Sequence, residues 1–469
     1  MRIVPARDGG LCRIRLAWGE LSAAQARVVA EVARACGSGF IDATNRANLQ
    51  IRGVREGSQE ALISRLVGAG LGPTTPGSDD LRNVMLSPLA GLDPHAVLDV
   101  TPLASALLDQ LQRDTRLHQL SPKFALMLDG GERLAMLDHP HDVWLSAVSA
   151  ERFVFGLAGC PPRFESDAPA LGAVNRVHVP ALVDALLHTF LDLAMPHHTR
   201  MRDLLATCSI EAFLGHVQDK LNFPLAQDVG NWRRSPSDAR LRFGVHPQGT
   251  GDSVCVGAQV PLGRMDAAAL STLADLAPRL RMTPWQSVML LDVPTANAHA
   301  VVDQLTALGL ATNPDEPFAR LIACAGSQGC AKSFTDTKAD AQLLARSMPS
   351  AGDVHLSGCA RSCAAAERVL PSARARSGTE GSLSVQITRL FAGSRARVMP
   401  SATMRASQRM GAPRLSAARP AVPAPGENTR SSITSVIPHA WITRTASFSR
   451  SAGMASRFAS ARMVANDAR

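Results

Sequence analysis

In Leu11-Cys12-Arg13-Ile14-Arg15-Leu16 the apolar Cys12, Ile14 and Leu16 alternate with arginines, the period-two pattern of a half-buried strand. Ser22 then stands where it can cap a helix whose apolar stripe runs through Val28, Val29, Val32 and Ala33, and alternation returns from Asn48 to Val54. The same order recurs some 240 residues later: a strand at Ser253-Val254-Cys255-Val256-Gly257, a cap at Asp266, a helix with Leu270, Leu273 and Ala277, and a closing strand at Val288-Met289-Leu290-Leu291. Gly19 and Gly263 precede the two helices, and Gln50 and Gln286 mark the two closing strands. This spacing predicts a duplicated architecture, the alternative being two unrelated βαβ pieces. Gly/Pro-rich stretches at 71–80 and 230–236 read as linkers around another domain, with helices near 101–113 and 180–194 and a strand at Phe124–Leu128. Mixed elements of this kind predict an α+β fold.

The chain has 469 residues, 46% of them hydrophobic, and no stretch approaches the length of a membrane span. Its N-terminus lacks the apolar core of a signal peptide, so the expected location is cytoplasmic. The formal charge is +9, but residues 371–469 hold 15 Arg, no Lys and three acids, which leaves 34 basic and 37 acidic residues in the body. With a slightly acidic body and no tyrosine, neither nucleic acid nor a membrane is an expected partner, and any anion site is a local pocket. The tail, with 16 Ser among its 99 residues, reads as low-complexity disorder or as out-of-frame translation beginning just after Cys363.

Five of the nine cysteines are scattered singly, as small buried hydrophobes are, whereas the other four are grouped. Cys324 and Cys330 form C-x5-C, and 28 residues later Cys359 and Cys363 form C-x3-C. Soft thiolates suit an iron–sulfur cluster, and the spacing departs from the short clips of structural zinc. The arrangement resembles the cluster motif of the sirohaem and 4Fe-4S nitrite/sulfite reductase superfamily. Within it, Ala43-Thr44-Asn45-Arg46-Ala47-Asn48-Leu49-Gln50-Ile51-Arg52-Gly53, Arg82-Asn83-Val84 with Ser87-Pro88-Leu89-Ala90-Gly91, and Gly244-Val245-His246-Pro247-Gln248 resemble the precorrin-3B synthases most closely.

The resemblance covers about residues 5–364. It implies ferredoxin-like half-units at 1–72 and 240–312, a nitrite/sulfite reductase-like α/β domain at 80–230, and a truncated cluster-binding α/β domain at 313–365. Residues 366–469 form the atypical tail. Period two alone puts Arg46, Asn48, Gln50 and Arg52 on one strand face, which is commonly only solvated. The resemblance implies instead that they grip tetrapyrrole carboxylates, joined by Arg82, Asn83, Lys123, Arg281 and Gln286, whose plain alternative is salt bridging to neighbours. Asp138-His139-Pro140-His141-Asp142 is the one dense His/Asp group; an exposed turn around Pro140 is the preferred reading and a mononuclear non-haem iron site the other.

The activity implied is oxygen-dependent hydroxylation of precorrin-3A at C20 with γ-lactone formation, a monooxygenation in aerobic cobalamin biosynthesis. A 4Fe-4S cluster on Cys324, Cys330, Cys359 and Cys363 would relay electrons. These come ultimately from NADH through a partner protein or small carrier, since no G-x-G-x-x-G follows a strand. One alternative is an assimilatory sulfite or nitrite reductase, which would hold sirohaem. Another is an inactive product of a frameshifted gene, because no closing strand is legible after Cys363.

Overall fold

The computed structural model describes residues 1–249, 251–347, 353–359, 361, 363 and 364, together with the backbone of four strands between 372 and 464. The chain divides into two compact units, Met1–Ala319 and Arg320–Arg469.

The first unit opens with β1 (Ile3–Ala6), β2 (Gly9–Ile14), β3 (Glu20–Ser22), α1 (Ala23–Cys36), β4 (Phe40–Ala43), β5 (Leu49–Val54) and α2 (Gln59–Gly68). Cys12, Ile14 and Leu16 are buried as the alternation predicts. Ser22 caps α1 through a reciprocal box: its Oγ accepts from the Gln25 N–H at 3.1 Å, and its own N–H donates to Gln25 Oε1 at 3.0 Å. A second domain follows, with β6 (Val84–Met85), α3 (Thr101–Arg113), β7 (Leu126–Asp129), β8 (His141–Ala147), β9 (Arg152–Gly159), β10 (Gly172–Asn175), α4 (Val179–Leu193), α5 (Met201–Leu204) and α6 (Ile210–Gln218). Its sheet runs β10-β9-β8-β7-β6. The segment 230–236 that reads as a linker is anchored, because Arg234 is buried and holds both oxygens of Asp129 at 2.7 and 2.9 Å.

The second half-unit comprises β11 (Gly244–Pro247), β12 (Ser253–Gln259), β13 (Arg264–Asp266), α7 (Ala267–Leu276), β14 (Arg279–Met282), β15 (Ser287–Pro294) and α8 (Ala298–Ala307). Asp266 caps α7, accepting from the Ala269 N–H at 2.8 Å. The halves exchange edge strands: one sheet is ordered β1-β2-β5-β4-β13 and the other β11-β12-β15-β14-β3. One apolar core runs through both, from Val29 and Val32 on α1 to Leu270 and Leu273 on α7. The exchanged strands are clamped by ion pairs of opposite polarity. Arg264 on β13 holds Asp42 on β4 at 2.7 Å, while Glu20 on β3 takes Arg279 and Arg281 on β14 at 3.2 and 2.5 Å.

The backbone repeats as well. Trp18 (φ 41°) and Leu262 (φ 55°) occupy matching turns, each followed by a left-handed glycine, Gly19 (φ 82°) or Gly263 (φ 66°). A Cβ on Gly19 would lie 2.3 Å from the Met282 carbonyl oxygen. Gly19→Ala therefore combines a left-handed penalty with a backbone clash and is expected to cost about 2–4 kcal/mol, read as a lowered denaturant midpoint. The turn Thr44–Asn48, closed by Thr44 N–H to Asn48 O at 2.9 Å, matches Thr283–Ser287, closed by Thr283 N–H to Ser287 O at 2.9 Å. This register corrects one expected equivalence: Gln286 (φ 60°) is the counterpart of Ala47 (φ 54°), not of Gln50, and Trp285 stands where Arg46 does.

In the second unit β16 (Leu321–Ala323), α9 (Gly326–Gly329), α10 (Thr337–Ser347) and β17 (Val354–Ser357) bring two strands together in parallel. The sheet continues through β18 (Ser372–Ser377), β19 (Leu383–Thr388), β20 (Ala402–Arg405) and β21 (Arg462–Val464). The closing strand expected to be missing is thus described: β18 pairs in parallel with β17. Its sequence, Ser372-Ala373-Arg374-Ala375-Arg376-Ser377, alternates only small alanines with arginines and has no β-branched or aromatic residue, so the strand signal is weak. The remainder of the expected disordered tail lies outside the described residues. No helix among the described residues is long and apolar enough to cross a membrane.

Candidate functional site

Strand β5 begins only at Leu49, so Arg46 and Asn48 belong to the preceding turn and do not share a strand face with Gln50 and Arg52. Thr44 Oγ1 accepts from the N–H groups of Arg46 and Asn48 at 3.3 and 3.1 Å, and Asn48 Oδ1 accepts from the Leu16 N–H at 2.8 Å. The turn is thereby fixed and projects the Arg46 side chain, which donates to the Lys123 carbonyl at 3.2 Å. Arg46, Asn48, Arg82 and Asn83 line one cavity of about 20 Å³, room for a water.

Most of the other expected anion ligands are already satisfied. Arg52 is buried against Asp8 at 2.8 Å, with Asp42 at 3.8 Å. Arg82 donates to the Leu71 carbonyl at 2.9 Å, and Asn83 brackets the Pro122 and Phe124 carbonyls at 2.7 and 3.2 Å. Arg281 is buried, holding the Pro88 and Ala90 carbonyls and Glu20, so it fastens the 87–91 loop to β14. Gln286 is buried in its turn, where its carbonyl accepts from Gln259 at 3.0 Å. Gln50 lies opposite Arg13 on β2 and Asp42 on β4. Lys123 is exposed beside Arg46.

What gathers around Arg46 is a cationic locus that periodicity did not reveal. Burial, and then repulsion from Arg200, pushes the Arg46 guanidinium down to about 10, with Asp142 offsetting and Arg15 and Arg13 adding to the effect. Arg15 is paired with Asp79 and Asp80, and Arg200 with Asp142 at 2.9 Å, but Arg46 has a main-chain carbonyl as its partner. A half-buried guanidinium left in this state is suited to an incoming carboxylate.

The Asp138–Asp142 group is not the exposed turn expected. His141 and Asp142 open β8 and are buried, and Asp138 pairs with Arg163. Asp142 is spent on Arg200 and on the Ala125 and Met201 N–H groups at 2.8 Å each. The rings of His139 and His141 lie 5.2 Å apart, with His139 Nδ1 and both nitrogens of His141 buried and unbonded. Two imidazoles flanked by Arg46 and Arg200, with the adjacent carboxylate already engaged, do not make up a mononuclear iron site. A group of Asp114, Asp184 and His188 lies elsewhere, but Arg116 at 3.0 Å from Nδ1 and Asp114 at 2.7 Å from Nε2 make it an ion-pair network.

The histidines give a pH prediction. Burial, then Arg46 and Arg200, lowers His139 to about 4; burial, then His139, Arg46 and Arg200, lowers His141 well below its ordinary range. The unfolded chain takes up these protons near pH 6.5, whereas the folded chain takes them up only near pH 4 at His139 and well below the ordinary range at His141. Stability is therefore full above 6.5 and falls as pH drops through that window, by about 3 kcal/mol for His139. Denaturant midpoints at pH 7 and 4.5 should diverge in the wild type and much less in a His139→Gln/His141→Asn double variant.

In the second unit, β16 ends one residue before Cys324 and β17 two residues before Cys359, so parallel pairing places both ligand pairs at neighbouring carboxyl ends. The Cys324 N–H continues the ladder to the Leu356 carbonyl at 3.1 Å. Gly326 (φ 67°) turns the chain into α9 and towards Cys330, and a Cβ on Gly358 would fall 1.7 Å from Ser333 Oγ. All four cysteines are free. Desolvation raises the Cys363 thiol, and Cys359, Cys324 and Cys330 raise it further, so the other three thiols act on it electrostatically. The Gly358 N–H donates to Cys324 Sγ at 3.3 Å. Four free thiols at two neighbouring strand ends, with an N–H aimed at one of them, fit a 4Fe-4S cluster, a carrier of single electrons.

Comparison with known proteins agrees with this architecture. The family profile described as the nitrite/sulfite reductase ferredoxin-like half domain matches residues 4–69 and 246–308, and that described as the nitrite and sulphite reductase 4Fe-4S domain matches 77–225. The chloroplastic ferredoxin–nitrite reductase of Zea mays is 30% identical over 388 residues, 75% of this chain and 67% of that protein. A precorrin-3B synthase from Sinorhizobium sp. is 29% identical over 369 residues, 76% of this chain and 75% of that protein. The chain spans about two thirds of the plant nitrite reductases it matches. The structure of the Mycobacterium tuberculosis NirA protein shares the fold, with TM-score 0.67 and 23% identity over 81% of this chain and 74% of that one. The exchanged half-units, the domain between them and the level of identity over most of the chain together establish that the chain belongs to the nitrite and sulfite reductase family.

Proposed function

We propose that this oxidoreductase acts on a polycarboxylate tetrapyrrole, and that its reaction is that of precorrin-3B synthase: oxygen-dependent hydroxylation of precorrin-3A at C20 with γ-lactone closure. The observation that carries the tetrapyrrole reading is Arg46, a half-buried guanidinium with no carboxylate partner among the described residues, set beside exposed Lys123. A rim of this kind suits a ligand with several carboxylates. Cys324, Cys330, Cys359 and Cys363 would hold the cluster, which supplies single electrons from a donor protein or small carrier and ultimately from NADH. The specific reaction is supported by the Sinorhizobium precorrin-3B synthase, 75% of whose length is matched. The second reading, a sirohaem-dependent nitrite reductase, is favoured by the ferredoxin–nitrite reductases among the relatives.

Absorption spectra of anaerobically purified protein, with iron and labile sulfide from the same sample, separate the two. A broad thiolate–iron band without chlorin-type bands, together with turnover of precorrin-3A under oxygen, is the expected result. Sharp sirohaem bands with nitrite reduction would replace it by the reductase.

A further inference from the structure

The four cluster cysteines are unequally supported. Cys324 Sγ receives the Gly358 N–H at 3.3 Å and lies 3.4 Å from Thr337 Oγ1, whose hydroxyl also reaches the Cys324 carbonyl at 2.9 Å. Thr337 is buried at the first position of α10, and the main chain of left-handed Gly326 passes so close that a Cβ there would lie 2.9 Å from the Thr337 nitrogen. The hydroxyl is therefore held over one sulfur by the same glycine turn that leads to Cys330. We propose that Thr337 is a positioning residue that tunes the cluster by donating its hydroxyl proton to the Cys324 thiolate, in concert with the Gly358 N–H.

The physical reason is charge. One-electron reduction of a 4Fe-4S cluster from its 2+ to its 1+ level, by a low-potential donor, adds negative charge that spreads onto the cysteinyl sulfurs. Hydrogen bonds to those sulfurs stabilise the reduced level and raise the potential. The Thr337 hydroxyl rotates from the Cys324 carbonyl to its sulfur, exchanging one hydrogen bond for another with the O–H bond intact and no proton transferred. Valine keeps the branched shape of threonine and removes the donor.

The inference rests on the four-cysteine cluster assignment, so wild-type iron and labile sulfide are measured first, on anaerobically purified full-length protein. Dithionite titrations followed by electron paramagnetic resonance then compare the wild type with Thr337→Val, Thr337→Ala and Thr337→Ser. The expected result is unchanged iron and sulfide throughout, a more negative midpoint potential in Val and Ala, and a wild-type potential in Ser. An unshifted potential in Val or Ala at full cluster content overturns the proposal. Loss of the cluster from Val and Ala but not Ser also overturns it, in favour of a role in assembly. A wild type without iron and sulfide removes the cluster assignment itself.

Discussion

Exchange of Cys324 for serine is expected to strip nearly all iron and labile sulfide from the protein, while Cys208→Ser leaves both in place. Cys324 sits where β16 delivers it to the other three sulfurs, is built into the β16–β17 ladder through its N–H, and carries the sulfur with hydrogen-bond donors around it. Serine preserves the backbone but offers a harder oxygen that is protonated at neutral pH, a poor ligand where soft thiolate is required. Cys208 is partly buried, alone, and donates towards the neighbouring Ser209 carbonyl at 3.5 Å. Iron and sulfide assays on anaerobically purified variants read the difference. A full complement in Cys324→Ser would remove it from the ligand set.

Arg234→Met is expected to destabilise the first unit by about 3–5 kcal/mol. The Arg234 and Asp129 side chains are 3% and 1% exposed, and the guanidinium also holds the Glu132 and Ser235 carbonyls at 2.7 and 2.9 Å. Glu132 shares the pocket, and burial, then Asp129, pushes its carboxyl up to about 8. Removing the arginine leaves a buried carboxylate with no countercharge. The companion Asp129→Asn/Arg234→Met variant should recover a substantial part of the loss, since paired removal leaves no orphan charge. A denaturant midpoint for Arg234→Met close to the wild type would refute the account.

How far the sequence could be read depended on whether the signal was local. Ser22 and Asp266 were legible as caps because a cap is satisfied within three residues, and Thr101–Arg113 because its apolar period is sustained. The cysteine spacing carried the cluster reading for the same reason. Arg52, Arg82 and Arg281 are anion ligands on the family resemblance alone, and the groups that consume their donors, Asp8, Leu71 and Pro88, lie 44, 11 and 193 positions away, beyond what local pattern can show. The histidine pair was misjudged because Pro140 suggests a turn, whereas the next residue already enters a buried strand. Arg13 and Arg200, which help set the charge around Arg46, gave no signal, since isolated arginines are indistinguishable from solvated ones until the fold assembles them.

The exchanged edge strands bear on how the chain comes into being on the ribosome. Asp42 meets Arg264 across 222 positions, and Glu20 meets Arg279 across 259. At roughly 5–20 residues per second, the nascent first half waits on the order of tens of seconds for the strand that completes its sheet. During that interval β4 is an open template for any passing backbone. The charge of Asp42, later neutralised by Arg264, stands on that open strand meanwhile and disfavours premature pairing with an uncharged partner. A fragment ending before residue 264 should therefore associate with itself or with chaperones during synthesis, and supplying residues 240–312 in trans should release it.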